Sequence, residues 1–142
     1  MKKKVYRIAA LLVLVSISCQ KDPSIVVNNC NKQVLIDKQL YRKAPNKFFD
    51  VSNVILDHDC LKVTYYHCGS NSDGNLMLIE GEANQNKFPT ERNLRFSFDT
   101  ISPCLALISH TQSFDLTPLK KFVSNHIILQ IEQWKKPIHY RY

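Results

Sequence analysis

Cys60-Leu61-Lys62-Val63-Thr64-Tyr65-Tyr66-His67-Cys68 decides the fold of this 142-residue chain. Leu61, Val63 and Tyr65 alternate with Lys62, Thr64 and Tyr66. Successive side chains of a strand point to opposite faces, so period two over this length predicts a half-buried strand. The cysteines that bound it cannot bridge each other. At roughly 3.3 Å per residue the strand holds their Cα atoms about 26 Å apart, whereas a disulfide needs them closer than about 7 Å.

Outward from this strand the same alternation recurs. Upstream lie Val54-Ile55-Leu56 and, earlier, a first short strand over 34–37; between them 38–50, with Pro45 inside it, lacks helical periodicity and predicts an irregular excursion ending in Phe48-Phe49. Downstream, 69–75 with its Asp73-Gly74 predicts a turn or hairpin loop. Leu76 and Leu78 open the next strand. The stretch 81–90 holds loop residues Asn84, Asn86 and Pro89, and Leu94, Phe96 and Phe98 then alternate with Arg95, Ser97 and Asp99. Leu105 and Leu107 follow, then Phe114 and Leu116, then Ile127, Leu129 and Ile131, and after a turn holding Trp134 and Pro137 an edge strand over 138–142. Thr117-Pro118 suits one or two helical turns, because Thr caps and Pro fits the first turn. No amphipathic helix stands out. The pattern predicts an all-β, antiparallel, immunoglobulin-like β-sandwich of about seven or eight strands over 34–142.

The N-terminus reads differently. Lys2, Lys3, Lys4 and Arg7 precede an apolar run over 8–15, and Ser16-Ile17-Ser18-Cys19 follows. Charge order and length are those of a secretory signal, and the run is too short for a helix spanning a hydrocarbon core, which takes roughly 20 apolar residues. The ending resembles the lipobox of bacterial lipoproteins, where mostly small residues precede an obligatory cysteine that is diacylated and becomes the new N-terminus. The resemblance implies that Cys19 carries a lipid, that 1–18 is a removed signal peptide, and that 19–33, poorly patterned and containing Pro23, is a tether. Ser16 stands where that family usually has Leu, and Ile17 is larger than usual. An ordinary secretory signal with a nearby cysteine is the alternative. Gln20-Lys21-Asp22 after the cysteine resembles the export tag of lipoproteins displayed on some Gram-negative outer membranes, and Gln20 is not the Asp of inner-membrane retention. Outer-membrane anchoring is therefore expected, with surface display one form of it.

Cys30, Cys60, Cys68 and Cys104 remain, an even count that suits two disulfides in an exported domain. With Cys60–Cys68 excluded, two pairings stay open: Cys30–Cys60 with Cys68–Cys104, or Cys30–Cys68 with Cys60–Cys104. The first is preferred, because adjacent strand ends bring Cys68 to Cys104 while Cys30 fastens the N-terminal arm. Asp59-Cys60-Leu61-Lys62-Val63, His67-Cys68-Gly69 and Phe114-Asp115-Leu116 also resemble landmarks of a group of small, functionally obscure β-sandwich lipoproteins, over about 53–120. That group tends to have two glycines beside the cysteine where this chain has His67 and Gly69. The resemblance implies a fold and no activity.

Charge and motifs narrow the function classes. The formal charge of +7 falls to +3 once the four basic residues of the signal are set aside, and the 124 residues left of 142 suit one domain. The remaining cations are scattered, with Arg42-Lys43, Lys120-Lys121 and Lys135-Lys136 the adjacent pairs, which is not a phosphate track, and no nucleic-acid partner is expected. Asp57-His58-Asp59 gathers two carboxylates and an imidazole, but neighbouring strand residues face opposite ways and a polar turn explains it better. His67 and His110 lack metal-site spacing. Glu80 and Glu82 share a strand face and read as solvated. No nucleophile elbow, phosphate loop or dinucleotide fingerprint occurs. An enzyme, a metal and a cofactor are not expected.

Aromatic residues supply the binding hypothesis. Trp134, Tyr66, Tyr140 and Tyr142 are the candidates, able to stack on sugar rings or anchor a protein if they share an exposed face. The competing reading has Trp134 capping the core and Tyr65 inside it. The expectation is a lipid-anchored outer-membrane binding module for a protein or glycan. Its alternative is a periplasm-facing accessory lipoprotein docking to an envelope complex by strand addition at 138–142, and a small hydrolase comes third.

Overall fold

The structure, a computed structural model, describes residues 30–47, 49–69, 75–84, 86–99, 104, 106–120 and 124–142. The signal, the stretch 20–29 of the tether and the loop over 70–74 lie outside the described residues. In chain order the elements are β1 (Lys32–Gln33), β2 (Leu35–Ile36), α1 (Lys38–Lys43), β3 (Phe49–Asp57), β4 (Cys60–Cys68), β5 (Met77–Asn84), β6 (Thr90–Ser97), β7 (Leu107–Asp115), a 3-10 turn (Thr117–Leu119), β8 (His126–Ile131) and β9 (Trp134–Arg141). They form an all-β sandwich of two sheets, ordered β1-β7-β4-β3 and β2-β5-β6-β8-β9.

β4 spans the cysteine-bounded stretch and sits inside its sheet, pairing antiparallel with β3 through Val54↔Val63 and with β7 through Leu61↔Phe114. Its alternation sorts the faces as period two requires: Leu61, Val63 and Tyr65 are buried, and Lys62 and Tyr66 are exposed. Leu78, Leu94, Phe96, Ile127, Leu129 and Tyr140 meet them from the second sheet in one continuous core. The β3–β4 connection is the polar turn at His58-Asp59, with His58 at φ 53°. A left-handed residue is what a two-residue hairpin turn demands.

Pairing corrects the expectation of antiparallel strands throughout. β1–β7, β2–β5 and β6–β8 run parallel. The chain leaves the second sheet after β6, crosses the first as β7 and returns as β8, so β6 and β8 lie side by side in the same sense. Residues 30–33, assigned to the tether from sequence, are built into the sandwich: Lys32 pairs with Phe114, Gln33 with Asp115, and Cys30 bridges to Cys60 with Cα atoms 5.7 Å apart. Cys68 bridges to Cys104 at 4.6 Å. The preferred pairing is the one present.

Two local expectations are overturned. The stretch 38–50 contains α1, six residues held at its ends rather than by an apolar stripe. Asp37 Oδ1 accepts from the Gln39 and Leu40 N–H groups at 2.8 and 2.9 Å, which satisfies donors that a helix start leaves open. Arg95 of β6 donates to the Tyr41 and Ala44 carbonyls at 2.7 and 3.2 Å, closing the other end. The Tyr41 ring lies so close to Gly81 of β5 that a Cβ there would stand 2.5 Å from its Cγ. Trp134 opens β9 rather than lying in a turn; the turn is Glu132-Gln133. Pro137 is tolerated within β9 because that strand is an edge and its register shifts there.

Candidate functional site

β3 and β9 are the outer strands of their sheets on the same side of the sandwich and approach each other there. Between their first residues lies a pocket of about 300 Å³ lined by Asp50, Val51, Gln133, Trp134, Lys135 and Lys136. The Glu132-Gln133 turn fixes its shape. β8 ends at Ile131 while β6 runs on to Ser97, so the β6 backbone beyond Leu94 needs partners. The Glu132 N–H takes the Leu94 carbonyl at 2.9 Å. The Gln133 side-chain amide then serves as one more rung, accepting from Phe96 N–H at 2.9 Å and donating to Phe96 O at 3.2 Å. Trp134, the next residue, is half-buried against the core, with exposed Lys135 and Lys136 beside it. The result is a pocket whose lining combines Val51 and Trp134 with two cations and one carboxylate. Such a site can hold an apolar group flanked by acidic or hydroxyl groups.

Of the aromatic candidates the structure brings Trp134 and Tyr66 to neighbouring places. Tyr66 is 38% exposed on the outer face of the first sheet and pairs across strands with Asp50, which also lines the Trp134 pocket. Tyr140 is corrected: it is fully buried, and its hydroxyl donates to Asp59 Oδ1 at 2.7 Å. Burial, then the bond to the Asp59 carboxylate, pushes its phenol far above the usual tyrosine range. Tyr142 is half-buried against the Tyr140 ring at 5.0 Å, with Lys120 Nζ 5.5 Å above its own ring, and belongs to the wall of the core. Tyr65 lies in the core, as the structural reading had it.

The remaining polar candidates are occupied in other ways. Asp57 binds Lys62 Nζ at 2.6 Å and His58 Nδ1 at 2.9 Å, and these bonds, Lys62 first, hold its carboxyl below the ordinary range. Asp59 serves Tyr140 and Lys120 instead, so the two carboxylates of the turn are engaged separately. His67 and His110 stack with ring centres 4.9 Å apart, and among the described residues no three metal-ligating side chains gather. Glu80 is not solvated: it is buried and ion-paired with Arg92, whereas Glu82 is exposed beside Arg42. Sequence reasoning missed Gln133 and Arg92. The parity of Leu94, Phe96 and Phe98 places Arg92 on the inward face and was the signal available for it. Cys19 lies outside the described residues.

No family model matches the chain, and no curated protein matches it. Solved structures do share its fold. It is similar to an NigD-like immunity protein from Bacteroides caccae, with TM-score 0.59 at 12% identity over 76% of this chain and 57% of that one. It is also similar to a protein of unknown function, DUF1344, from Bacteroides vulgatus, with TM-score 0.55 at 15% identity over 78% of this chain and 56% of that one. The chain thus spans a little over half the length of these neighbours, and at such identity the likeness is one of fold.

Proposed function

We propose that the chain is a lipid-anchored, non-enzymatic binding module of the outer membrane, tethered through Cys19, that holds a protein or glycan at the Trp134 pocket. The observation that carries this reading is the pocket itself, set where the edge strands β3 and β9 meet, beside the Gln133 rung, and lined by Trp134 and Val51 together with Lys135, Lys136 and Asp50. Preformed apolar pockets with few polar groups are where small sites concentrate their binding energy. A protein partner is tried first, because one fold neighbour is described as an immunity protein. Docking by strand addition is the second reading, favoured by the open edges of β3 and β9. Surface display is the form of anchoring that gives the pocket access to extracellular partners.

Trp134 is the only tryptophan of the chain, so its fluorescence reports on the pocket without labelling. Titration with envelope protein fractions and with surface glycans is expected to shift the emission saturably, and the double variant Lys135→Glu, Lys136→Glu to weaken that response. Binding that leaves the emission unchanged contradicts the site. Intact mass from native membranes tests the anchor: an acylated N-terminus at Cys19 is expected, and an unacylated product starting elsewhere overturns it.

A further inference from the structure

The disulfide that fastens the N-terminal arm also gives the sandwich a direction. β1 is an edge strand, and β7 separates it from β4. Cys30 nonetheless bridges to Cys60 of β4, with Cα atoms 5.7 Å apart, so the chain reaches β1 from the β4 side, across β7. Asn31 marks the crossing: its N–H donates to the Ser113 hydroxyl of β7 at 3.0 Å, and that hydroxyl donates to Asn31 Oδ1 at 3.2 Å. The entry of the chain into the fold is thereby tied to an interior strand, at the pole where β4 begins beside the β3–β4 turn.

The Trp134 pocket lies at the other pole. Asp50 and Val51, which line it, pair with Tyr66 and Tyr65 toward the far end of β4. At roughly 3.3 Å per residue, Tyr66 is about 20 Å along that strand from Cys60. The second sheet has the same sense. Tyr140, late in β9, reaches Asp59 in the turn beside Cys60 at 2.7 Å, whereas Trp134 opens that strand. The length of both sheets therefore stands between the chain entry and the pocket.

A module tethered at one pole beside a bilayer keeps that pole inward, because inverting it stretches the same tether along the whole flank of the fold, at a cost in chain entropy. We propose that the pocket faces away from the anchoring membrane, so that it meets partners arriving from the aqueous side rather than proteins embedded in that membrane. This polarity rests on the anchor and the pocket proposed above, and its test separates the three. The protein is placed in phosphatidylcholine nanodiscs with a gadolinium chelate on some of the headgroups, held by its own acyl groups or, where Cys19 is free, by a maleimide lipid coupled to the Cys19 thiol. Relaxation enhancement of the backbone amides is read by NMR against discs that carry lutetium. Stronger enhancement is expected at Asn31, Asp59 and Lys62 than at Asp50, Trp134 and Lys135. Equal enhancement at the two poles, or the stronger effect at the pocket, overturns the proposal. The mass at residue 19 decides the natural anchor independently, and because no ligand is present the relaxation contrast stands whether or not the pocket binds one.

Discussion

Gln133 is a glutamine that completes a sheet. Its amide pairs both polar groups of Phe96, a residue with no exposed surface. Replacing it with alanine leaves a buried N–H and C=O unmet, at roughly 1–3 kcal/mol for each group that stays dry. Gln133→Ala is therefore expected to lower the denaturant midpoint and to loosen the Trp134 pocket, checked by urea unfolding followed at the single tryptophan. Tyr140 makes the matching join between sheets, from β9 to Asp59 of the β3–β4 turn. Because its folded phenol is held above the ordinary value near 10, the folded state keeps a proton that the unfolded chain has lost. Stability is then fully present below about pH 10 and falls as pH rises beyond it. Unfolding measured across alkaline pH is expected to show that decline in the native protein and a shallower one in Tyr140→Phe. The sequence marked Tyr140 as a strand residue but could not say which face it took, since Pro137 and the register shift break the alternation just before it.

At the scale of elements, the β8–β9 hairpin carries a pair of histidines whose ring nitrogens, His126 Nε2 and His139 Nδ1, lie 3.1 Å apart. That hydrogen bond needs one ring to donate and the other to accept, so it fails when both are protonated. Desolvation first, then the charges of Arg141 and His139, lower the pKa of His126. The neutral form is favoured in the fold, so the contribution is present above the ordinary imidazole value near 6.5 and lost as pH falls below it. Amide exchange at Ile128 is expected to quicken on acidification through that range, and to lose this dependence in His126→Gln. A pH-independent exchange rate, once corrected for intrinsic chemistry, speaks against it. Strands such as β4 and β6 were legible because half-burial imposes period two on them. Helix α1 was not, because nothing periodic specifies it: an Asp37 cap, an arginine from another strand and one ring over Gly81 hold it. Partners distant in sequence leave no local trace.

For the whole molecule, alternation predicted two packed sheets but not their order, since period two tells which face a residue takes and is silent on which strand lies beside it. The parallel joins follow from the chain passing between sheets, a property of topology rather than of any segment. The cysteines were more informative. The length of β4 excluded one pairing, and the two bridges present enclose separations of 30 and 36 residues. Constraining such loops in the unfolded chain is worth about 3–4 kcal/mol each in the chain-entropy estimate. Reduction is expected to lower the urea midpoint strongly, and Cys30→Ser with Cys60→Ser to reproduce part of that loss. The proposed site was half legible: Trp134 was singled out by residue type, whereas the pocket it lines depends on Gln133 and on the meeting of β3 with β9.

The central claim is that a partner is held where those two edges meet at Trp134. The most direct measurement places a photocrosslinking side chain at position 136 beside the pocket and, as control, at position 111 on the outer face of the first sheet, in the full chain expressed in its native cells. A single adduct from position 136, absent from position 111 and suppressed by Trp134→Ala, is the predicted result. Equal crosslinking from both positions, or an adduct that survives Trp134→Ala, contradicts it.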